Sequence, residues 1–111
     1  MKYTDVITRD YEFRRLYSKG TSAGTSRIVL YCRKNRLPVN RLGLTVSTKI
    51  GKAVQRNRIR RRFREIYRLN EEKLSQGWDI VLVARGKSRY SEYGQLEADF
   101  LYLTEKLGLM R

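Results

Sequence analysis

The chain has 111 residues, 41% of them hydrophobic, enough for one folded domain with a modest core and too many for a disordered polyelectrolyte. It carries 25 Lys and Arg against 11 Asp and Glu, a formal charge of +14, and such self-repulsion is best accounted for by a polyanionic partner. It has no His and one Cys, which excludes an internal disulfide, a cysteine-built zinc centre and His-based acid–base chemistry.

In chain order, the N-terminal "MKYTDVITRDYE" lacks the apolar core of a signal peptide and no apolar run reaches membrane-spanning length, so the expectation is cytoplasmic with no membrane partner. "RDYEFRRLYSKG" predicts a short helix, with Phe13, Leu16 and Tyr17 at i, i+3 and i+4 and Gly20 placed to stop it. By spacing alone, Phe13 and Tyr17 read as core. "RIVLYCR" (27–33) predicts a strand with Val29 and Tyr31 on one face and Ile28, Leu30 and Cys32 on the other; Cys32 reads as a small buried hydrophobe. Pro38 lies in a polar turn. "RLGLTVS" (41–47) alternates as a half-buried strand, and residues from about Ala53 to Leu74 are helical in character. "DIVLVA" suits an interior strand, and "YGQLEADFLYLTEKLG" places Leu96, Phe100, Leu103 and Leu107 on one helical stripe ending at Gly108.

The expectation is an α+β domain over residues 1–111: helices packed on a small mixed sheet, in the order α-β-β-β-α-β-α, with two of the three strands between the first two helices placed at 27–33 and 41–47. The charge is uneven. Residues 86–111 carry four basic and four acidic side chains, so the whole surplus lies upstream.

The stretch "KAVQRNRIRRRFREIYR" (52–68) holds seven Arg and one Lys against one Glu. At about 100° per residue, Ile59, Phe63, Ile66 and Asn70 point to one side, and Asn57, Arg61, Arg64 and Arg68 to the other. Arg58, Arg60 and Arg62 widen the outward stripe. Stacked like charges weaken a helix that is merely solvated, and the planar fork of Arg matches phosphate. Upstream, Lys49, Gly51 and Lys52 stand at the expected helix start, where free backbone N–H groups favour an anion. The stretch therefore reads as a nucleic-acid backbone contact.

"GLTVSTKIGKAV" followed by "RNRIRRRFRE" resembles the Arg-Asn-Arg signature of the bacterial ribonuclease P protein subunit. Gly43, Val46, Ser47, Lys49, Gly51, Ala53, Val54, Arg56, Asn57, Arg58, Arg61 and Arg64 match together, and the other elements follow in the family's order along nearly the whole chain. The resemblance implies a left-handed crossover between the strands flanking the signature helix. It implies binding to a catalytic RNA subunit through Lys49, Lys52, Arg56, Asn57, Arg58, Arg60, Arg61, Arg64 and Arg68. It also implies a cleft for the single-stranded 5′ leader of precursor tRNA, lined by Phe13, Tyr17 and Tyr31; Tyr17 stands where the family often has Phe. The expected activity is endonucleolytic removal of that leader, catalysed by RNA with Mg²⁺ held mainly by RNA and substrate, with no catalytic side chain from the protein and no obligate protein partner. A ribosomal-type RNA-binding protein is the main rival. A stand-alone nuclease would need clustered acids or a His, and a helix-turn-helix DNA binder a short helix where "RLGLTVS" reads as a strand.

Overall fold

The computed structural model describes residues 2–111. Its elements are β1 (Thr4–Val6), α1 (Asp10–Lys19), β2 (Thr21–Gly24), β3 (Ile28–Lys34), β4 (Asn40–Thr45), α2 (Ala53–Asn70), β5 (Trp78–Ala84) and α3 (Tyr93–Lys106), with single 3-10 turns at 48–50, 71–73 and 86–90. The expected order is present, with β2 as the one expected strand that the sequence reading does not locate, and it is preceded by a strand that the reading does not contain. β1 has three residues, two of them exposed, and too little pattern to stand out.

The five strands form one mixed sheet in the order β1-β4-β5-β3-β2. β4 and β5 are adjacent and parallel, with α2 as the crossover between them, while β3 pairs antiparallel with β5. The strand richest in continuous apolar residues, β5, thus sits at the centre, as its composition demands.

Strand alternation sorts side chains onto two faces. On one, Ile28, Leu30, Cys32, Leu42, Ile80 and Leu82 meet Ile59, Phe63, Ile66 and Tyr67 of α2 and Leu96, Phe100 and Leu103 of α3. The rings of Tyr67 and Phe100 pack edge-on, with centroids 6.2 Å apart. On the other face lies a smaller cluster of Ile7, Leu16 and Val81, rimmed by the half-buried Phe13, Tyr31 and Val83. α1 lies across this second face. It is fastened by Arg41, whose guanidinium forks onto Asp79 (2.8 and 2.6 Å) and also meets Glu12 of α1. The bond to Asp79 holds that guanidinium above its ordinary pKa.

Two expected boundaries shift. The long helix runs to Asn70, not to Leu74: the buried Asn70 amide donates back to the Ile66 carbonyl (2.8 Å), and the chain tightens into the 3-10 turn. Leu107, expected on the apolar stripe of the last helix, is its half-buried C-cap, and Gly108 takes the left-handed conformation (φ 74°) that ends the helix.

The N-terminal strand is held by α2's far end. The carboxylate of Glu71, 3% exposed, accepts from the backbone N–H of Lys2 (2.8 Å) and Tyr3 (3.3 Å) and from the Thr4 hydroxyl. Thr4 also shares a hydrogen bond with the Tyr67 hydroxyl (2.9 Å).

Candidate nucleic-acid interface

The amphipathic pattern of α2 is realised as the sequence predicts. Ile59, Phe63, Ile66, Tyr67 and Asn70 are buried, and Asn57, Arg58, Arg61, Arg64 and Arg68 are exposed. The turn before the helix is built by Ser47, whose hydroxyl accepts from the N–H of Lys49 (3.2 Å), and by Gln55, whose amide oxygen accepts from the N–H of Lys52 (2.8 Å). Both lysines are exposed at this end.

The arginines divide into two groups that helical geometry alone does not separate. Arg62 turns inward and donates to the Ser91 carbonyl (2.9 Å), while Arg60 reaches the Val46 carbonyl (3.4 Å) and the Asn57 side chain (3.2 Å). Arg68 pairs with Glu65 and holds its carboxyl below the ordinary value. Arg56 is half-buried, with its Nε buried and unpartnered. Among the described residues Arg58, Arg61 and Arg64 form neither an ion pair nor a side-chain hydrogen bond. Together with Arg62, Arg68 and the Arg68-paired Glu65 they line a groove of about 610 Å³ between α2 and Tyr93 at the start of α3. Free guanidinium forks lining an open groove form a surface suited to phosphate.

On the opposite face of the sheet the three aromatics come together. Tyr17 lies between Phe13 (centroids 6.5 Å) and Tyr31 (5.0 Å, edge-on). Spacing made Phe13 and Tyr17 core, and the resemblance made them cleft-lining. Phe13 and Tyr31 edge the small apolar cluster, whereas Tyr17 is 38% exposed, so the group has an anchored side and an open side. Two further residues complete it. The Thr45 hydroxyl shares a 2.5 Å hydrogen bond with that of Tyr17, and Gly43 lies beneath Phe13, where a Cβ would approach ring carbons to 2.7 and 2.8 Å. Sequence reasoning gives both as strand residues alternating with Leu42 and Leu44, and Gly43 also as part of the signature; the register of β4 in the sheet is what brings them under α1.

β4 joins the two surfaces. It brings Thr45 to the aromatic group, and after Val46 and Ser47 the chain reaches Lys49 and the start of α2. Among the described residues, no three His, Cys, Asp or Glu side chains are grouped to hold a metal ion. Glu12 and Asp79 are engaged by Arg41, Asp99 by Arg27 (3.3 Å), and Glu71 by the N-terminal strand. These carboxylates do not fit a protein-held Mg²⁺. No helix among the described residues is long and apolar enough to cross a membrane.

The family described as Ribonuclease P matches residues 1–108. The ribonuclease P protein component of Clostridium botulinum (strain Loch Maree) is 43% identical over 104 residues, 93% of this chain and 94% of that protein. That of Alkaliphilus oremlandii is 38% identical over 110 residues, 99% of this chain and 96% of that protein. Among solved structures, the Staphylococcus aureus RNase P protein superposes with a TM-score of 0.88 at 28% identity, covering 96% of this chain and 97% of that one. The RNase P protein of Thermotoga maritima gives 0.76 at 32% identity, covering 85% and 87%.

Proposed function

The chain belongs to the ribonuclease P protein family, and on that premise we propose that it binds the enzyme's catalytic RNA through α2 and the 5′ leader of precursor tRNA through the aromatic group. As the protein component of ribonuclease P it takes part in a tRNA-processing endoribonuclease. The observation that carries the finer reading is the pairing of two unlike surfaces on one strand: unpaired arginines after β4 and a Tyr17–Tyr31 pair beside its Thr45.

Each surface suits a different part of RNA. Arg58, Arg61 and Arg64, with Asn57 beside them and Lys49 and Lys52 at the positive end of the helix, meet backbone phosphates of the RNA subunit and screen repulsion between it and the substrate. Arg60 and Arg56 are positioned by the fold to shape that face, and Arg68 joins it by exchanging Glu65 for phosphate. Phe13, Tyr17 and Tyr31 offer ring faces and edges to unstacked leader bases, and stacking tolerates any sequence because every base has a π-face. The fixed hydroxyl pair of Tyr17 and Thr45 sets the ring's orientation before RNA arrives.

The chemical step is left to RNA. Water adds at the scissile phosphorus and the bond to the leader's 3′ oxygen breaks, leaving a 5′ phosphate on the tRNA and a 3′ hydroxyl on the leader. Charge stabilisation of that step would come from Mg²⁺ bound mainly by RNA and substrate, with no ligand from this chain. The protein holds the leader and lowers the electrostatic cost of assembling two polyanions.

The test is cleavage of a precursor tRNA at low millimolar Mg²⁺ by a bacterial ribonuclease P RNA, with and without this protein, beside a protein-only control. Leader removal that needs both components supports the reading. RNA binding without stimulation of the ribozyme would transfer the chain to the ribosomal-type class, and cleavage by protein alone would overturn the division of labour.

A further inference from the structure

α1 divides the outer face of the sheet into two grooves. Phe13 and Tyr17 stand on one flank of the helix, Arg15 on the other, and Leu16, 2% exposed, is packed between them. The second groove is a concavity of about 580 Å³ lined by Arg15, Arg33, Lys34 and Arg36, with the Arg41–Asp79–Glu12 group in its wall. Both carboxylates are engaged by Arg41; the Lys34 ammonium turns to the opposite face of β3, 5.8 Å from the Trp78 ring centroid, and among the described residues Arg15, Arg33 and Arg36 have no acidic partner. No aromatic side chain lines it. A basic concavity without aromatics suits ribose-phosphate backbone and offers nothing for an unstacked base.

The loop that supplies Arg36 is built. Asn35 accepts from the N–H of Leu37 (2.8 Å) and donates to the Val39 carbonyl (3.1 Å) and to Asp79 (3.0 Å). These bonds hold Arg36 at φ 61°, the only positive φ among the described residues other than glycine. Gly or Asn adopts this conformation more readily than Arg, so local backbone preference does not account for an arginine here. The groove is also close to the tyrosines. Arg33 follows Tyr31 by two positions on the same face of β3, about 7 Å along the strand.

We propose that this second groove binds backbone phosphates of the 5′ leader, in the stretch beyond the nucleotides that lie against Tyr17 and Tyr31. The inference rests on the leader reading above. A leader strand leaving the tyrosines passes over the end of α1 and lays its next phosphates on Arg33, Arg15 and Arg36. The protein thereby holds leaders in two segments, one through bases and one through charge.

The full chain, assembled with a ribonuclease P RNA, is titrated with precursor tRNAs carrying a graded series of leader lengths, at several salt concentrations. Affinity is expected to rise in two steps with length. The Arg15→Ala/Arg33→Ala/Arg36→Ala variant keeps the first step and loses the second. It binds the longest leader about tenfold more weakly, with a log–log salt slope shallower by about 2, as loss of three single-strand phosphate contacts requires. Arg36→Gly separates binding from folding, because it relaxes the backbone: the variant melts at a higher temperature than wild type yet binds the longest leader more weakly. Loss shared equally by a leaderless tRNA, or no loss at any length, overturns the proposal. A first step without a second overturns it and leaves the leader reading intact, whereas wild type indifferent to leader length removes both.

Discussion

Gly43 and Phe13 are in direct apposition across the α1–sheet interface: a β-carbon at position 43 would lie 2.7 Å from Cε1 of the ring. Gly43→Ala therefore drives the ring and α1 outward, since Ile7 Cβ, at 3.3 Å from the same point, closes the other side. We expect a loss of about 1–3 kcal/mol in urea unfolding, the usual range for overpacking. Weakened leader affinity should accompany it, because Tyr17 moves with the helix. Adding Phe13→Leu should cost less in the Gly43→Ala background than in wild type, as expected of two residues in contact.

The arginines of α2 should separate into two classes by experiment. Arg61→Ala/Arg64→Ala removes unpaired charges, so stability is unchanged or slightly higher while affinity for the RNA subunit falls and its salt dependence flattens. Arg62→Ala breaks the bond to the Ser91 carbonyl. It should lower stability by about 1–2 kcal/mol, the range for a charge-assisted hydrogen bond. Thermal melts and RNA titrations on the same two proteins check both halves.

Removing the Arg41 guanidinium leaves Glu12 and Asp79, 15% and 13% exposed, facing each other without a counter-charge. Arg41→Ala is expected to destabilise by roughly 3 kcal/mol. Arg41→Lys should recover only part of this, because a single ammonium does not reproduce the fork on Asp79. Chemical denaturation of the three proteins at one salt concentration decides the matter.

Burial pushes the Cys32 thiol from 9.0 up to about 11. The unfolded chain thus releases this proton first, and stability complete below about pH 9 is lost as pH rises toward 11. Tyr67 is also raised, mainly by burial, and adds to the decline at higher pH. Cys32→Ala should be less stable at neutral pH but decline less steeply between pH 9 and 11. Denaturant midpoints of both proteins across that range isolate the thiol's share.

Periodic patterns made much of this molecule legible. Ile59, Phe63 and Ile66 fix the buried side of α2 by spacing alone, and alternation in β3 assigns Val29 and Tyr31 to one face correctly. What depends on distant partners was not legible. β1 is a strand because β4, 36 residues on, pairs with it and because Glu71 and Tyr67, more than sixty residues away, hold it. The helical wheel placed Arg58, Arg60 and Arg62 alike as flanks of one stripe. Only the Val46 and Ser91 carbonyls, supplied by other segments, turn Arg60 and Arg62 inward. The aromatic group was legible through resemblance, while the packing that supports it, through Gly43 and Thr45, required the register of the sheet.

The central place of β5 sets a schedule for synthesis. β3 and β4 follow one another in the chain yet never pair; each waits for the strand that enters between them after α2. A nascent chain still lacking residues 78–84 thus carries two half-sheets with unmatched edges, and its strongly basic helix has no platform to pack on. Such non-local pairing slows folding and leaves strand edges open to misassociation. Truncation anywhere before β5 should give a protease-sensitive fragment rather than a smaller working binder, so the chain commits to RNA only once translation is nearly complete.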